Sequence, residues 1–183
     1  MNGGEAVVRI TISGHPGSGT STLVEKICEK FEWQSLNGGE IFRNEAKNRD
    51  MSLSDFGELC KNDFSVDKSL DDILKSKMVE ENGPEVMESR LSGWWAYKLG
   101  IDCVRLWLDV NETERANRVV VREGLSYEEA ISQNRIRAKR DLDRYQKMYQ
   151  LNPEDPEPYT HIIDASRLTI EEVLKLTLEI LEE

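Results

Sequence analysis

Val7-Val8-Arg9-Ile10-Thr11-Ile12-Ser13 runs directly into Gly14-His15-Pro16-Gly17-Ser18-Gly19-Thr20-Ser21-Thr22. The first stretch is β-branched and short, which reads as a mostly buried strand. Gly14 to Gly19 is a glycine-rich turn, and beyond it Leu23, Ile27 and Phe31 recur at helical spacing with Lys and Glu between them. A strand, a glycine turn and a helix in that order indicate an α/β domain with a parallel sheet. The same context is the one a phosphate-binding loop requires. Glycines let successive backbone N–H groups face one anion, and the helix N-terminus adds its positive dipole end. The spacing G-x-x-x-x-G-x-S puts Ser21 where a hydroxyl normally binds Mg²⁺. The lysine of the usual pattern is absent, and Thr20 stands in its place. A hydroxyl donates a hydrogen bond but cannot neutralise charge, so a phosphoryl-transfer site built here needs another cation. A ligand-free glycine turn is the competing reading, and three glycines at this spacing argue against it. No Asn-Lys-x-Asp occurs, so guanine specificity has no support.

Further strands are expected near Trp33 to Leu36, at Glu85 to Glu88, at Cys103 to Val110 and at His161 to Asp164. Each is followed by a helical pattern, and Leu168 to Leu181 closes the chain with an amphipathic helix. Glu40 to Asn48, Leu53 to Cys60 and Val66 to Glu81 read as three short helices, with Ser52 and Ser54 as candidate caps for the second. Pro153, Pro156 and Pro158 mark an acidic loop before the last strand.

At 183 residues the chain fits one domain that can bury a core without staples. The net charge of -11 argues against a surface that grips nucleic acid or anionic lipid as a whole. There is no apolar run long enough for a membrane span, and Glu5 precedes the first strand where a secretory signal would be basic. Cys28, Cys60 and Cys103 are widely spaced, and with only His15 and His161 no zinc pattern can be drawn. A reduced, cytoplasmic protein is expected.

Two features stand against the acidic background. Gly38-Gly39-Glu40-Ile41-Phe42-Arg43 follows the second strand, so small residues open a helix with Arg43 one turn in. Arg90, just after the Glu85–Glu88 strand, approaches the same carboxyl end of the sheet, where α/β folds put ligands. Each arginine alone reads more readily as a solvated charge; their shared position points to an anion. Arg115 to Lys147 holds seven of the 13 arginines. Within it Arg137, Asp141 and Arg144 share one helix face. A salt-bridged solvated helix and a nucleic-acid patch compete with a lid whose arginines close over polyphosphate, for which Gly124 offers a hinge. Arg115, before that glycine, reads as a solvated helix charge.

These residues resemble a known family. Ile12 to Thr22, Gly39-Glu-Ile-Phe-Arg43, Met51-Ser-Leu-x-x-Phe-Gly57, Arg90-Leu-Ser-Gly-Trp94, Arg122-Glu-Gly-Leu-Ser126 and Arg144-Tyr145 follow the order of the archaeal-type cytidylate kinases, from Val8 to about Leu178. Threonine in place of the loop lysine recurs in that family. The resemblance implies a nucleoside monophosphate kinase fold: a parallel five-stranded sheet flanked by helices, one domain over 1–183, with an acceptor-binding segment at about 37–81 and a small lid at about 122–147. It implies phosphoryl transfer from ATP, with Mg²⁺, to CMP and dCMP, within pyrimidine nucleotide metabolism. By position, Gly14, His15, Pro16, Gly17, Ser18, Gly19, Thr20, Ser21 and Thr22 bind ATP, with Ser21 on the metal. Arg43, Arg90 and Asp141 bind CMP, and Arg137 and Arg144 are catalytic. It implies a monomer without nucleic-acid or membrane partners. Two departures stand out: Asn37-Gly38 replaces the Ser-Ala of the archaeal pattern, and Ser89 replaces the glycine of Glu-Gly-Arg. The rivals are a kinase of the same build for UMP, AMP or dephospho-coenzyme A, and a nucleotide-binding module without catalysis.

Overall fold

The computed structural model describes residues 7–182, so Glu5 lies outside the described part. β1 (Ile10–Gly14) leads through the glycine turn into α1 (Thr20–Phe31). β2 (Ser35–Asn37) runs straight into α2 (Gly38–Asn48), followed by α3 (Leu53–Asn62) and α4 (Phe64–Met78). β3 (Val86–Glu88) precedes α5 (Ser92–Leu99), and β4 (Val104–Asp109) precedes α6 (Glu112–Glu123) and α7 (Tyr127–Tyr149). β5 (His161–Asp164) precedes α8 (Ile170–Leu181).

The five strands are all parallel and lie in the order β2-β3-β1-β4-β5. β1 is central and buried along its length. Its Ile10 pairs with Val86 on one side and Val104 on the other. The chain winds in opposite directions on the two sides of β1, so the crevice at its carboxyl end is the topological place for a ligand.

Alternation along the strands splits the core into two layers. Ile10, Ile12, Val86, Leu106 and Leu108 face α1 and α8, where they meet Leu23, Ile27 and Val173. Met87 faces the other side, with Leu74, Met78, Leu91, Trp94, Trp95 and Tyr145. Leu23 and Ile27 are fully buried, each worth roughly 1.5–3 kcal/mol of removed apolar surface. The α2–α4 segment has a small core of its own around Ala46, Phe56 and Cys60.

Several boundaries differ from the sequence reading. β1 begins at Ile10, after an unpaired Val7 and Val8. The second strand is shifted to Ser35–Asn37, because Trp33 stacks on Phe31 with ring centres 4.4 Å apart instead of joining the sheet. α4 starts earlier than Val66, because Asp63 accepts from the Ser65 N–H as its cap, and stops at Met78. Ser52 caps α3 by accepting from the Asp55 N–H, whereas Ser54 lies inside that helix and its side chain falls outside the described residues. The last helix begins at Ile170, where Thr169 and Glu172 form a reciprocal capping box. The three cysteines are free. Among the described residues no helix is long and apolar enough to cross a membrane, and no cluster of three or more His, Cys, Asp or Glu side chains is placed to hold a metal.

Candidate active site

The glycine turn is shaped by what packs behind it. Gly17 and Gly19 hold φ of 85° and 91°, the left-handed region. A Cβ on Gly17 would stand 2.8 Å from the Arg115 carbonyl oxygen, so this position excludes any side chain twice over. At Gly19 a Cβ would meet only Arg118 Nη1, at 3.4 Å, so handedness and not crowding requires the glycine there. Thr20 Oγ1 donates to Glu88 Oε1 (2.5 Å), and Ser21 Oγ donates to the same oxygen (2.9 Å). Glu88 was legible only as a strand residue. Its role emerges because β3 pairs beside β1 and delivers its last residue to the loop. A hydroxyl and a carboxylate oxygen side by side are the hard donors that Mg²⁺ takes, so the residues present fit that ion.

α6 lies against the loop. Arg118 donates from Nη1 to the Ser18 carbonyl and from Nη2 to the Ala165 carbonyl, both at 2.8 Å. Its Nε donates to Glu114 at 2.8 Å. Arg115 is not solvated, contrary to the sequence reading: it is buried, and its Nε and Nη1 find no hydrogen-bond partner among the described residues. The reason is that the α6 face carrying Arg115 and Val119 is pressed onto Gly17. Burial lowers the pKa of Arg115, with Glu112, Glu154 and Asp109 acting against it and Arg90 with it. His15 stands edge-on to Trp107 (5.3 Å) with Nε2 3.2 Å from Glu154. Burial, aided by Arg115, holds its pKa below the ordinary value, and Glu154 opposes the shift.

In front of the loop opens a cleft of about 630 Å³. Asn37, Gly38, Gly39, Phe42 and Arg43 form one wall, and Asp67, Leu70, Asp71 and Leu74 of α4 continue it. Glu88, Ser89 and Arg90 form the floor. Arg122, Arg137, Arg140, Asp141, Arg144 and Tyr145 overhang it from α6 and α7. Arg43, Arg90, Arg137, Asp141 and Arg144 thus meet in one space, as the sequence reading expected. Gly17, Gly19, Thr20, Ser21 and Thr22 line it with His15 and Pro16, while Ser18 is buried beneath and Gly14 sits under Arg90.

Their partners differ. Arg90 donates from Nη1 to the Gly14 carbonyl (2.8 Å) and from Nε to Asp141 (3.2 Å). Arg144 lies 3.3 Å from Asp67 and 3.5 Å from Asp141, and donates to the Tyr145 hydroxyl at 2.7 Å. Burial disfavours its charge, but Tyr145, Asp141 and Asp67 outweigh burial and raise its pKa. Arg43, Arg137 and Arg140 line the cleft without a hydrogen bond or ion pair to any described residue. Burial raises the pKa of Asp67 and of Asp71.

An AAA-domain family model matches residues 13–137. A cytidylate kinase of Methanocorpusculum labreanum is 32% identical over 170 residues, 92% of this chain and 93% of that protein. A cytidylate kinase of Methanopyrus kandleri is 32% identical over 176 residues, covering 92% of this chain and 90% of its own. The chain belongs to the cytidylate kinase family. Among solved structures, an uncharacterised protein from Eubacterium ventriosum superposes with a TM-score of 0.73 at 15% identity, covering 96% of this chain and 99% of the other. A shikimate kinase from Bacteroides thetaiotaomicron superposes at 0.59 with 15% identity and the same coverage. At such identities the likeness is one of fold, that of the P-loop kinases.

The two departures from the archaeal cytidylate kinase pattern meet in space. A Cβ on Gly38 would stand 3.3 Å from the Ser89 Cβ, tighter than side chains normally tolerate. Losing a methyl at position 38 makes room for the side chain gained at position 89. Ser89 also leaves its hydroxyl buried at the cleft floor, without a partner among the described residues. The turn before Arg90 is held instead by Ser13 and Ser92: Ser13 Oγ donates to the Ser89 carbonyl at 2.8 Å, and the Ser89 N–H donates to Ser92 Oγ at 3.3 Å. Asn37, the other changed residue, caps α2 by accepting from the Glu40 N–H at 2.7 Å.

Proposed function

We propose that this cytidylate kinase family member transfers the γ-phosphoryl group of ATP to CMP and dCMP, giving ADP and CDP or dCDP. The observation that carries the proposal is the single cleft in which a phosphate loop faces a second set of arginines, Arg43 and Arg90. The family membership supports the acceptor. The reaction belongs to pyrimidine nucleotide metabolism in the cytoplasm, and a monomer suffices because every proposed site residue comes from this one chain.

The loop from Gly14 to Thr22 holds the ATP phosphates with its N–H groups and the N-terminus of α1. Arg43 and Arg90 take the CMP phosphate. Arg90 is aimed by its bonds to Gly14 and Asp141, so the acceptor phosphate is positioned from the loop itself. A CMP phosphate oxygen is anionic near neutral pH, so attack needs positioning and charge stabilisation more than a base. Ser21 and Glu88 would hold Mg²⁺, which supplies charge neutralisation on the polyphosphate when bound. Arg137, without a hydrogen bond or ion pair among the described residues, serves the migrating phosphoryl group that Thr20 cannot neutralise. Arg144, drawn toward Asp67 and Asp141, supports it from the acceptor side. Residues 37–81 act as the acceptor-binding segment and 122–147 as the lid.

The test is an ATP·Mg²⁺ phosphotransfer assay across CMP, dCMP, UMP, AMP and dephospho-coenzyme A. Turnover of CMP and dCMP is expected. Turnover of another acceptor in their place, or ATP binding with no turnover at all, would refute the assignment.

A further inference from the structure

The phosphate loop carries one side chain that anion binding by backbone N–H groups does not use. Within Gly14 to Thr22 only His15 can change charge near neutral pH. Its carbonyl accepts from the Ser18 N–H at 3.1 Å, so the residue is built into the turn of the cradle. Its ring stands between two spaces. On one side it lines the main cleft with Gly17, Gly19 and Thr20. On the other it lines a recess of about 10 Å³ with Arg90, Trp107, Asp141 and Glu154, too small for any ligand beyond a water. Trp107 meets the ring edge-on, and Nε2 lies 3.2 Å from the Glu154 carboxylate. The His15 side chain is 17% exposed, whereas that of Glu154 is 54% exposed and opens the pair to solvent protons.

The charges around this ring oppose one another. Arg115 faces it from α6 and Arg90 from the turn after β3. Asp109 faces it from the end of β4, Asp141 from α7 and Glu154 from the loop before β5. Arg90 and Asp141 are paired with each other at 3.2 Å. Among these groups burial and Arg115 prevail over Glu154, and the imidazole is neutral near pH 7. A polyphosphate in the cradle adds several negative charges on the cleft side. Opposite charge at such close range favours the protonated ring. Glu154 is already placed to accept from it.

We propose that His15 takes up a proton from solvent when a nucleotide polyphosphate fills the loop, and that the imidazolium, held by Glu154, supplies part of the charge that Thr20 lacks. The inference rests on the ATP-binding reading of the loop and adds a linked proton to it. His15 is a positioning residue: it acts through the turn that it closes and through its charge, not by contact with the reacting atoms. The proton goes to the ring nitrogen that is bare in the neutral tautomer, and no bond in the nucleotide changes. A lysine would carry its charge at all times, whereas His15 carries it only with the anion present. ATP affinity is then highest below the pH at which nucleotide-free His15 titrates. It falls as pH rises through the window up to the pH at which nucleotide-bound His15 titrates.

The chain has only two histidines, so the proton can be followed directly. His161 lies on the outer strand β5, with β4 between it and β1, and serves as the internal control. The experiment records imidazole NMR resonances against pH, with and without saturating ATP·Mg²⁺, in wild type, His15→Asn and Glu154→Gln. His15→Asn removes one resonance and so assigns both. His15 should titrate at least about one pH unit higher with ATP bound, while His161 holds. Glu154→Gln should shrink that rise, and an unaltered rise would overturn the part given to Glu154. Between about pH 6 and pH 8 the wild-type dissociation constant for ATP should rise at least about threefold more than that of His15→Asn. Merely structural damage would weaken binding equally at every pH. A His15 that titrates at the same pH with and without bound ATP would overturn the proposal and leave the loop assignment standing. No ATP binding by wild type would overturn both. Should His15→Asn fail to fold, His161→Gln assigns the resonances, and the wild-type titration still decides.

Discussion

α6 carries three arginines and α7 four, yet the two helices put them to different uses. On α6, Arg118 is spent on the Ser18 and Ala165 carbonyls and Arg115 is buried against Gly17. On α7, Arg137 and Arg140 face the cleft with no partner among the described residues. The first set shapes the loop, and the second is available to a ligand. The cationic stretch is therefore two devices joined at Gly124. Which arginine belongs to which device is decided by where its donors go, not by its place in a basic run.

The difference can be broken most forcefully at the seat of α6. Gly17→Ala combines a left-handed backbone with a Cβ 2.8 Å from the Arg115 carbonyl. Backbone strain and overpacking together should cost about 3 kcal/mol. That corresponds to a fall in melting temperature of roughly 6–12 °C for a domain of this size. A melting temperature within about 2 °C of wild type would mean that α6 is not the mould of the loop.

Arg118→Ala comes next. It removes two charge-assisted bonds to backbone carbonyls and should cost about 2 kcal/mol of stability. KM for ATP should rise with it, since Ser18 sits inside the loop. An unchanged melting curve would return Arg118 to the class of solvated charges.

Arg137→Ala should behave as the mirror image. Arg137 is exposed and has no ion pair among the described residues, so the melting temperature should not move. Turnover should fall by at least about tenfold, 1.4 kcal/mol of barrier, with a smaller change in ground-state ATP affinity. If turnover survives Arg137→Ala and fails in Arg118→Ala at equal stability, the two helices have exchanged the roles assigned to them here.

What the chain makes legible follows from how local the physics is. The β1–loop–α1 unit could be read because every signal for it lies within 25 consecutive residues, Val7 to Phe31. β2 could be placed only roughly, because a three-residue strand is defined by its pairing with β3 and not by its own pattern. Glu88 was invisible as a site residue for the same reason: the parallel register sets it opposite both Asn37 and Ile12 and so beside Thr20 and Ser21. Arg115 was misread because an arginine on an amphipathic helix looks the same whether the face beneath it is water or a glycine loop. Asp67 sat in a helix rich in Asp, Ser and Lys, where nothing separates a buried carboxylate from its exposed neighbours. Gly38 and Ser89 each looked like a lone departure until their separation made them one exchange.

The smallest effect is expected at the junction, and it bears on how the lid works. Gly124 ends α6 at φ 69°, and a Cβ there would meet nothing within 4 Å. The glycine is therefore explained as a left-handed helix stop, with its N–H bonded to the Val120 carbonyl. Ser126 then starts α7 with a capping box to Glu129. Beneath the turn Ala116 and Val119 of α6 pack on Ala130 of α7, all buried. Arg135 grips both oxygens of Glu112 at 2.6 and 2.8 Å across the same interface. Rotation about Gly124 would have to break these contacts, so the hinge read from the sequence conflicts with the packing, and α6 and α7 should move, if they move, as one body. Gly124→Ala should then cost only the handedness penalty of about 1 kcal/mol, a shift of roughly 2–4 °C, and leave turnover within about twofold. A tenfold loss of turnover at nearly unchanged stability would restore the hinge. The α6–α7 contacts would then have to open in each cycle, and the line between shaping arginines and ligand-facing arginines would shift with them.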